Sequence, residues 1–434
     1  MMGSQDGKGK DSYLMAKKLS SVLGVDIGSQ SIKICEIRSQ GKEPVVTALG
    51  IIATPEGAVD HTGVYNSDAV GSALKQVISS SGASGSSVVV SIAGQASVLV
   101  RTLEVPKMNP TELKDHMQWE INRNIPFAES TILSDYKPLG GDDPNSPNMD
   151  VVMAISPQSA IDTVLACIKK AGRTTSAIDV EPLSLARSIH KSYDDILGGK
   201  TSCIVDIGHK TTSINIYHGD RLLMPRQVPV GGELFTKAIA DSFSVSIEEA
   251  EVMKCTKCII PDWAAEVALQ DPFGDIGATS NFQAYNPFAD DAPPVAEEPA
   301  AFSPFDEPMA TVAETEAAAA VADQTPAQTD NSESTQIYNA IAPILDEFLS
   351  EVRRSIDYYR SRGGDIDAVE LCGGGAKLGG LAPYLSKSLG VECDAYDPLR
   401  RLNVNARKVA QGFVDEHKQE FAVAVGNGLH IFFD

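Results

Sequence analysis

The sequence predicts an α/β fold made of two related lobes that face each other across a cleft. The first observation is a repeat: "GVDIGSQSIKICEI" at residues 24–37 matches "IVDIGHKTTSINIY" at residues 204–217 without a gap. The second is the alternation of apolar, strand-like runs with helical segments along the chain. Two copies of one strand–turn–strand unit, nearly half a chain apart, therefore indicate two domains of similar topology.

Composition places the chain among globular proteins with room for at least two domains. Its 434 residues are 43% hydrophobic and carry a formal net charge of −22. Residues 262–334 hold 15 Asp and Glu and no Lys or Arg, so the other residues carry only −7. Neither part offers a dense basic stripe, which argues against a nucleic-acid-binding surface. The acidic segment also lacks apolar periodicity, and we expect it to be disordered.

The sequence pattern predicts no targeting or membrane segment. No apolar stretch reaches the ~18 residues of a transmembrane helix, and residues 1–20 read as a flexible tail without the apolar core of a signal peptide. The seven cysteines lie mostly inside apolar stretches, as reduced and buried thiols do. We therefore expect a cytoplasmic protein with no direct membrane insertion.

The repeated turn has the chemistry of a phosphate-binding loop. Glycine lets a ligand approach the backbone closely, and successive turn amides form a concavity for phosphate oxygens. Asp26 and Asp206 precede the two glycines, where each can hold water molecules of a Mg²⁺ ion. The candidate phosphate-binding residues are Gly28, Ser29, Gln30, Ser31 and Lys33 in the first copy and Gly208, His209, Lys210 and Thr211 in the second. For either copy taken alone, a plain hairpin turn is the alternative.

A glycine-rich turn late in the chain offers a surface for adenosine. Residues 368–389, "AVELCGGGAKLGGLAPYLSKSL", read as a strand, a turn and a helix. No side chain can intrude at Gly373, Gly374 and Gly375, and Lys377 follows them. The motif is neither a Walker loop nor a dinucleotide-binding fingerprint. A tight strand-to-helix turn without a ligand is the alternative.

A helical segment, "GGELFTKAIADSFSVSIEEAEVMK" at residues 231–254, completes the candidate site. Glu251 and Lys254 lie three residues apart and share a helix face. There the carboxylate of Glu251 can bond ribose hydroxyls while the stem of Lys254 packs on adenine. Gly231 and Gly232 are further candidate contacts at the start of the segment. An exposed ion pair is the alternative for Glu251 and Lys254.

These elements, in this order, resemble the actin-like ATPase superfamily: first phosphate loop, connecting helix, second phosphate loop, adenosine loop and second connecting helix. Within it, the chain is similar to the PilM family of type IV pilus assembly proteins. The similarity extends to "RTLEVPKMNPTELKDHMQWEINRNIPF" at 101–127 and "AIDVEPLSLARSI" at 177–189. The implied organisation is a first lobe at 21–190, which includes a small subdomain of the FtsA and PilM type at about 54–158, and a second lobe at 191–434, interrupted by the acidic segment.

The resemblance implies ATP and Mg²⁺ as ligands. It places Glu181 in the first connecting helix, where actin relatives position the attacking water. Glu181 precedes Pro182, so capping of that helix is the alternative role. We expect ATP binding with slow turnover at most.

The implied function is that of a scaffold in the inner-membrane assembly platform of the type IV pilus or a related secretion system, with partner binding that depends on the nucleotide. The implied partners are the cytoplasmic amino-terminal peptide of a bitopic membrane protein similar to PilN and other platform proteins. We expect "RTLEVPKMNP" at 101–110 to form one wall of the peptide site. An FtsA-like cell-division filament protein and a small-molecule kinase of the same superfamily are the alternatives. The CxxC spacing of Cys255 and Cys258 is interpreted as coincidence, since no further zinc ligands are spaced around it.

Overall fold

The computed structural model describes residues 19–41, 43–128, 131–140, 146–266 and 332–433. Its contacts divide the chain into two compact units, and the larger, residues 1–269 with 332–434, contains all the elements below. The smaller unit, residues 270–331, lies outside the described residues. The prediction of disorder for the acidic segment falls mainly on that undescribed part.

Strands and helices alternate along most of the larger unit. The strands are β1 (Ser21–Ile27), β2 (Ser31–Gln40), β3 (Glu43–Ala53), β4 (Ser87–Ile92), β5 (Leu99–Pro106), β6 (Ile132–Pro138), β7 (Asn148–Pro157), β8 (Thr174–Val180), β9 (Thr201–Ile207), β10 (Thr212–His218), β11 (Arg221–Val228), β12 (Ala368–Cys372), β13 (Cys393–Ala395) and β14 (Asn403–Val404). The α-helices are α1 (Ser67–Ser81), α2 (Pro110–Arg123), α3 (Gln158–Lys170), α4 (Glu181–Leu197), α5 (Gly232–Phe243), α6 (Ile247–Lys257), α7 (Glu333–Ser361), α8 (Leu381–Leu389), α9 (Phe413–His417) and α10 (Ala422–Gly428).

The first lobe is built on a six-stranded sheet in the order β14-β3-β2-β1-β4-β8. β1, β2 and β3 form an antiparallel meander, and β4 joins β1 in parallel. Both faces of the sheet are covered, so the strands read as nearly continuous apolar runs. Ile34 of β2 packs towards α1 and α3 on one face, whereas its neighbour Cys35 packs with Phe421 and Val425 on the other.

The second lobe is built on a five-stranded sheet in the order β11-β10-β9-β12-β13, and its first strands have the same arrangement as those of the first lobe. β9, β10 and β11 form the corresponding meander, and β12 joins β9 in parallel as β4 joins β1. Helices α5, α6 and α7 pack together beside this sheet, with the rings of Phe235 and Phe348 edge to face at 6.5 Å. The sequence repeat thus corresponds to the first two strands of each lobe.

A separate three-stranded sheet, β5-β7-β6, forms a small subdomain with α2 between residues 99 and 157. The sequence predicted that this subdomain starts near residue 54. The structure differs, because α1 and β4 belong to the first lobe. The prediction was wrong because the alternating pattern of a strand does not say which sheet the strand joins. Ser156 Oγ donates to the carbonyl of Ser97 at 2.7 Å, so the chain enters and leaves the subdomain at adjacent points.

Two helices, α4 and α10, cross between the lobes. The backbone of Gly426 lies against the carbonyl of Ser184, where any β-carbon would overlap it. Asn427 is fully buried at this crossing and its Oδ1 accepts from Ser184 Oγ at 2.6 Å and Ser91 Oγ at 3.0 Å. Its amide nitrogen donates to the carbonyl of Val25 at 2.8 Å. One side chain therefore ties both connecting helices to the central strands of the first lobe.

The predicted limits of the acidic segment, 262 and 334, are too wide. Ala264 and Ala265 are buried, and α7 begins at Glu333 with Ser332 as its N-cap. A residue count cannot separate acidic residues of a linker from acidic residues at a helix start, where the helix dipole favours them. Within the described residues, no helix combines the length and apolar character needed to cross a membrane.

Candidate nucleotide site between the lobes

The two glycine loops have the same local geometry. Gly28 N donates to Ser31 O at 3.1 Å and Gly208 N donates to Thr211 O at 3.0 Å, so each loop is closed by one equivalent hydrogen bond. In the part of the chain that the structure describes, the amides of Ser29, Gln30, His209 and Lys210 have no acceptor. Both loops line one cleft between the lobes. They are therefore suited to receive the oxygens of an anion.

Carboxyl groups from three elements converge behind these loops. Lys33 Nζ lies 3.2 Å from Asp26 Oδ2, and Ser213 Oγ donates to Glu181 Oε2 at 3.3 Å. Glu181 also shares a hydrogen bond with Asp206. Burial and the charge of Asp26 raise the pKa of Asp206 to about 6. Burial and the charges of Asp206 and Asp26 raise the pKa of Glu181 well above its ordinary value, so its surroundings favour the protonated form.

This cluster is suited to a divalent cation held through water. Within the described ranges, no group of three or more His, Cys, Asp or Glu side chains is close enough to hold a metal alone. Mg²⁺ commonly keeps several waters and completes its shell with phosphate oxygens. Burial and the negative charge of Asp26 raise the pKa of Asp206 in spite of the opposing charge of Lys33. Asp26 and Asp206 would hold such an ion, which would supply charge neutralisation for phosphates.

The second wall of the cleft comes from α5 and α6. Lys254 Nζ donates to Glu251 Oε2 at 2.7 Å, to Thr236 Oγ1 at 2.8 Å and to the carbonyl of Gly232 at 3.1 Å. Lys254 is largely buried, so the pair is not the exposed ion pair that was the alternative. Burial opposes ionisation of Glu251, but Lys254 and the hydrogen bonds outweigh it and lower its pKa. Gly231 does not line the cleft, because it packs against the carbonyl of His209.

The glycine turn of residues 373–375 closes the cleft on the side of the second lobe. Gly373 has φ +81°, and a β-carbon there would overlap the carboxylate of Asp206. A β-carbon on Gly375 would overlap Ile207, whereas one on Gly374 would find only Glu420 Oε2, at 4.0 Å. Gly373 and Gly375 are thus required by packing, and Gly374 alone faces open space. Beyond the turn, Lys377 Nζ lies 2.7 Å from Glu420 Oε1.

The cleft has a volume of about 520 Å³, within the range of small-molecule sites. Every residue predicted from the sequence lines it except Gly231. Ser213, Gln227, Thr236 and Glu420 were not predicted; of these, Ser213, Gln227 and Glu420 line the cleft, and Thr236 bonds Lys254 behind its wall. Ser213 lies on β10, two residues beyond Thr211. Side chains two residues apart in a strand share a face, so strand periodicity could have predicted Ser213. The other three come from different elements and are brought to the cleft only by the tertiary fold.

The candidate peptide wall at residues 101–110 is only partly exposed. Val105 is buried and Leu103 packs against the same subdomain core. Arg101 Nη1 donates to Asn124 Oδ1 at 2.6 Å. The same strand also contacts the second lobe, where Thr102 Oγ1 donates to the carbonyl of Leu223 at 2.6 Å. Much of this segment is therefore structural.

Comparison with known proteins agrees with this geometry. A family model described as type IV pilus assembly protein PilM matches residues 24–280. A model of the cell division protein FtsA matches residues 203–426. FtsA of Neisseria meningitidis is 29% identical over 96 residues and FtsA of Bacillus subtilis 30% identical over 97 residues, each 22% of this chain. These matches span 22% and 21% of those proteins, so the chain matches about a fifth of the length of either relative.

A solved PilM–PilN type IV pilus biogenesis complex contains a chain similar to this one over nearly the whole length. The TM-score is 0.69 at 24% identity, covering 96% of this chain and 99% of that chain. This likeness confirms the two-lobed actin-like ATPase fold predicted from the sequence. The PilM family model covers more than half of the chain, from the first glycine loop to beyond α6. The chain therefore belongs to the PilM family of type IV pilus assembly proteins.

Proposed function

We propose that this protein is an ATP-binding scaffold of type IV pilus assembly. The observation that carries the proposal is the pair of equivalent glycine loops, whose free amides and adjoining Lys33 line one cleft. Asp26 and Asp206 would bind the Mg²⁺ that accompanies the phosphates. The turn at Gly374 and the pair of Glu251 and Lys254 would hold the nucleoside at the other end.

Turnover of ATP is slow in this proposal. A residue that activates water must accept a proton, and we assign this role to the carboxyl of Glu181. Burial, the charges of Asp206 and Asp26 and the hydrogen bond to Asp206 raise its pKa and favour its protonated form in the absence of ligand. A protonated carboxyl is a poor base. Mg²⁺ beside Asp206 would favour the ionised form of the pair, so that water activation would depend on the loaded cleft.

In this proposal, the small subdomain transmits the nucleotide state to the partner. Its chain is part of the first lobe, yet its β5 and β7 also contact β11 of the second lobe. Thr102 Oγ1 donates to the carbonyl of Leu223 at 2.6 Å, and Asp150 pairs with Arg221. Any rotation of the lobes around a nucleotide therefore strains or shifts these contacts. A partner that binds the subdomain and the first lobe together will then prefer one nucleotide state.

The proposed partner is the cytoplasmic amino-terminal peptide of a bitopic inner-membrane protein similar to PilN. The solved relative is a PilM–PilN complex, and the shared fold supports an equivalent peptide site here. The peptide would lie between the first lobe and the subdomain, beside the exposed side chains of Glu104 and Pro106. Such a partner would recruit this protein from the cytoplasm to the membrane, where other platform proteins assemble.

A pull-down with that peptide tests the proposal. Residues 98–155 can be replaced by a short Gly/Ser linker, because Ser97 and Ser156 are in contact. We expect the variant to lose the peptide and to retain ATP, and the wild type to hold the peptide differently with and without MgATP. Thermal melting serves as the folding control. Equal peptide binding by the folded variant would show that the proposed peptide site is wrong.

A further inference from the structure

Each lysine that lines the cleft already has a carboxylate partner. Lys33 pairs with Asp26, Lys254 with Glu251 and Lys377 with Glu420, and Lys210 Nζ lies 3.9 Å from Glu233. Phosphates that enter the cleft must compete with these internal anions for the lysines. Asp26 also has a proposed role in binding the metal. Glu251, with Lys254, has a proposed role in binding the nucleoside at the wall formed by α5 and α6. Among the carboxylates that pair with these lysines, Glu420 is the one that lines the cleft and has neither of these roles.

Glu420 occupies a fixed place between the two lobes. It lies in the short segment Lys418–Phe421 that leads into α10, and its side chain is 10% exposed. Its Oε1 lies 2.7 Å from Lys377 Nζ and 2.8 Å from His417 Nδ1. The next residue, Phe421, is fully buried. The segment is also tied to the glycine turn, because Gly373 N donates to the carbonyl of Gln419 at 2.9 Å.

The carboxylate of Glu420 faces the place assigned to the ligand. Its Oε2 lies 4.0 Å from the position that a β-carbon on Gly374 would take, and Gly374 is the glycine of the turn that faces open space. It also lies close enough to Lys33 that its charge, after that of Asp26, counteracts burial and raises the lysine pKa. Glu420 therefore acts on one phosphate-loop lysine from the first lobe and bonds one lysine from the second.

We propose that Glu420 is an internal counter-anion that sets how strongly the cleft binds phosphate groups. Without a ligand it neutralises Lys377 and part of the charge of Lys33. When a nucleotide enters, the phosphates take over these lysines while the carboxylate of Glu420 stays nearby and opposes them. The affinity of the cleft for a nucleotide thereby depends on the number of its phosphates and on whether Mg²⁺ neutralises their charge. This inference rests on the proposed ATP site.

The test is a titration of Glu420→Gln with adenosine, ADP and ATP, each with Mg²⁺, by calorimetry. The amide keeps the size of the side chain and an acceptor for Lys377, but removes the charge. We expect affinity for ATP to rise roughly tenfold, affinity for ADP to rise less, and affinity for adenosine to stay the same. The matched control is Glu347→Gln, which removes the same charge from an exposed side chain that does not line the cleft. We expect the control to match the wild type.

The outcomes separate this inference from the proposal on which it rests. If the wild type binds MgATP and Glu420→Gln binds it equally or more weakly, Glu420 only positions Lys377, and the inference is wrong while the ATP site stands. If Glu347→Gln gains as much affinity as Glu420→Gln, the effect is one of net charge and the inference is also wrong. If the wild type binds neither ATP nor ADP, both proposals fail. Melting temperatures of the two variants confirm that each is folded.

Discussion

Replacement of Asp206 by asparagine should stabilise the nucleotide-free protein. Burial and the charge of Asp26 raise the pKa of Asp206 from 3.8 to about 6, which means that the folded state opposes its ionisation. Below about pH 4 the carboxyl of Asp206 is protonated in both the folded and the unfolded state, so it does not lower the free energy of unfolding. Between about pH 4 and pH 6 the unfolded chain loses this proton more readily, so the free energy of unfolding falls as pH rises. Above about pH 6 the free energy of unfolding is lowered by the full amount.

The size of the effect follows from the shift. A rise from 3.8 to about 6 corresponds to about 3 kcal/mol, because one pKa unit is worth ~1.4 kcal/mol. The cleft admits water, and the asparagine side chain would lose part of the hydrogen bond to Glu181, so we expect a gain of about 1 to 2 kcal/mol at pH 7.5.

The assay is thermal melting of wild type and Asp206→Asn between pH 5 and pH 8, with EDTA and without nucleotide. The melting temperature of the wild type should fall as pH rises from 5 to about 6 and should level off above it, and the variant should show a weaker dependence and a higher melting temperature at pH 7.5. The same variant should bind MgATP more weakly, because it lacks one of the two carboxylates at the metal. A variant that melts below the wild type at pH 7.5 would refute the electrostatic reasoning.

Three further outcomes are expected. Gly375→Val should lower the melting temperature strongly, because its side chain would overlap Ile207, whereas Gly374→Val should melt close to the wild type; similar melting of both would contradict the packing of the turn. Glu181→Gln should bind ATP with little change and slow any turnover roughly a hundredfold, and unchanged turnover would remove Glu181 from the mechanism. Replacement of residues 269–330 by a Gly/Ser linker should leave melting temperature and ATP affinity nearly unchanged, and a large loss of either would show that this acidic part of the chain supports the folded body.

The sequence predicted the fold and most of the cleft because the informative signals are local. The repeat around Asp26 and Asp206 lies in two short hairpins, where residue type and turn geometry are directly linked. The glycines at 373–375 follow the same logic, since two of them are required by close contact with Asp206 and Ile207. The order of these motifs along the chain then indicated two lobes.

The remaining features depend on tertiary contacts that no local pattern contains. The subdomain starts near residue 99 rather than 54, because strand β4 pairs with β1 and not with β5. Glu420 reaches the cleft from the far end of the chain through the crossing of α4 and α10. Gly231 was predicted to contact the ligand from its place beside Gly232, but it packs under the second loop instead.

Calorimetric titration of MgATP into wild type, Lys33→Met and Gly374→Val tests the central claim most directly. Lys33→Met removes the cation beside the first glycine loop, and Gly374→Val fills the open face of the turn without a backbone clash. We predict binding by the wild type and at least tenfold weaker binding by each variant, or about 1.4 kcal/mol, with both variants folded by thermal melting. The same affinity in all three proteins, or no binding by the wild type, would contradict an ATP site between the lobes.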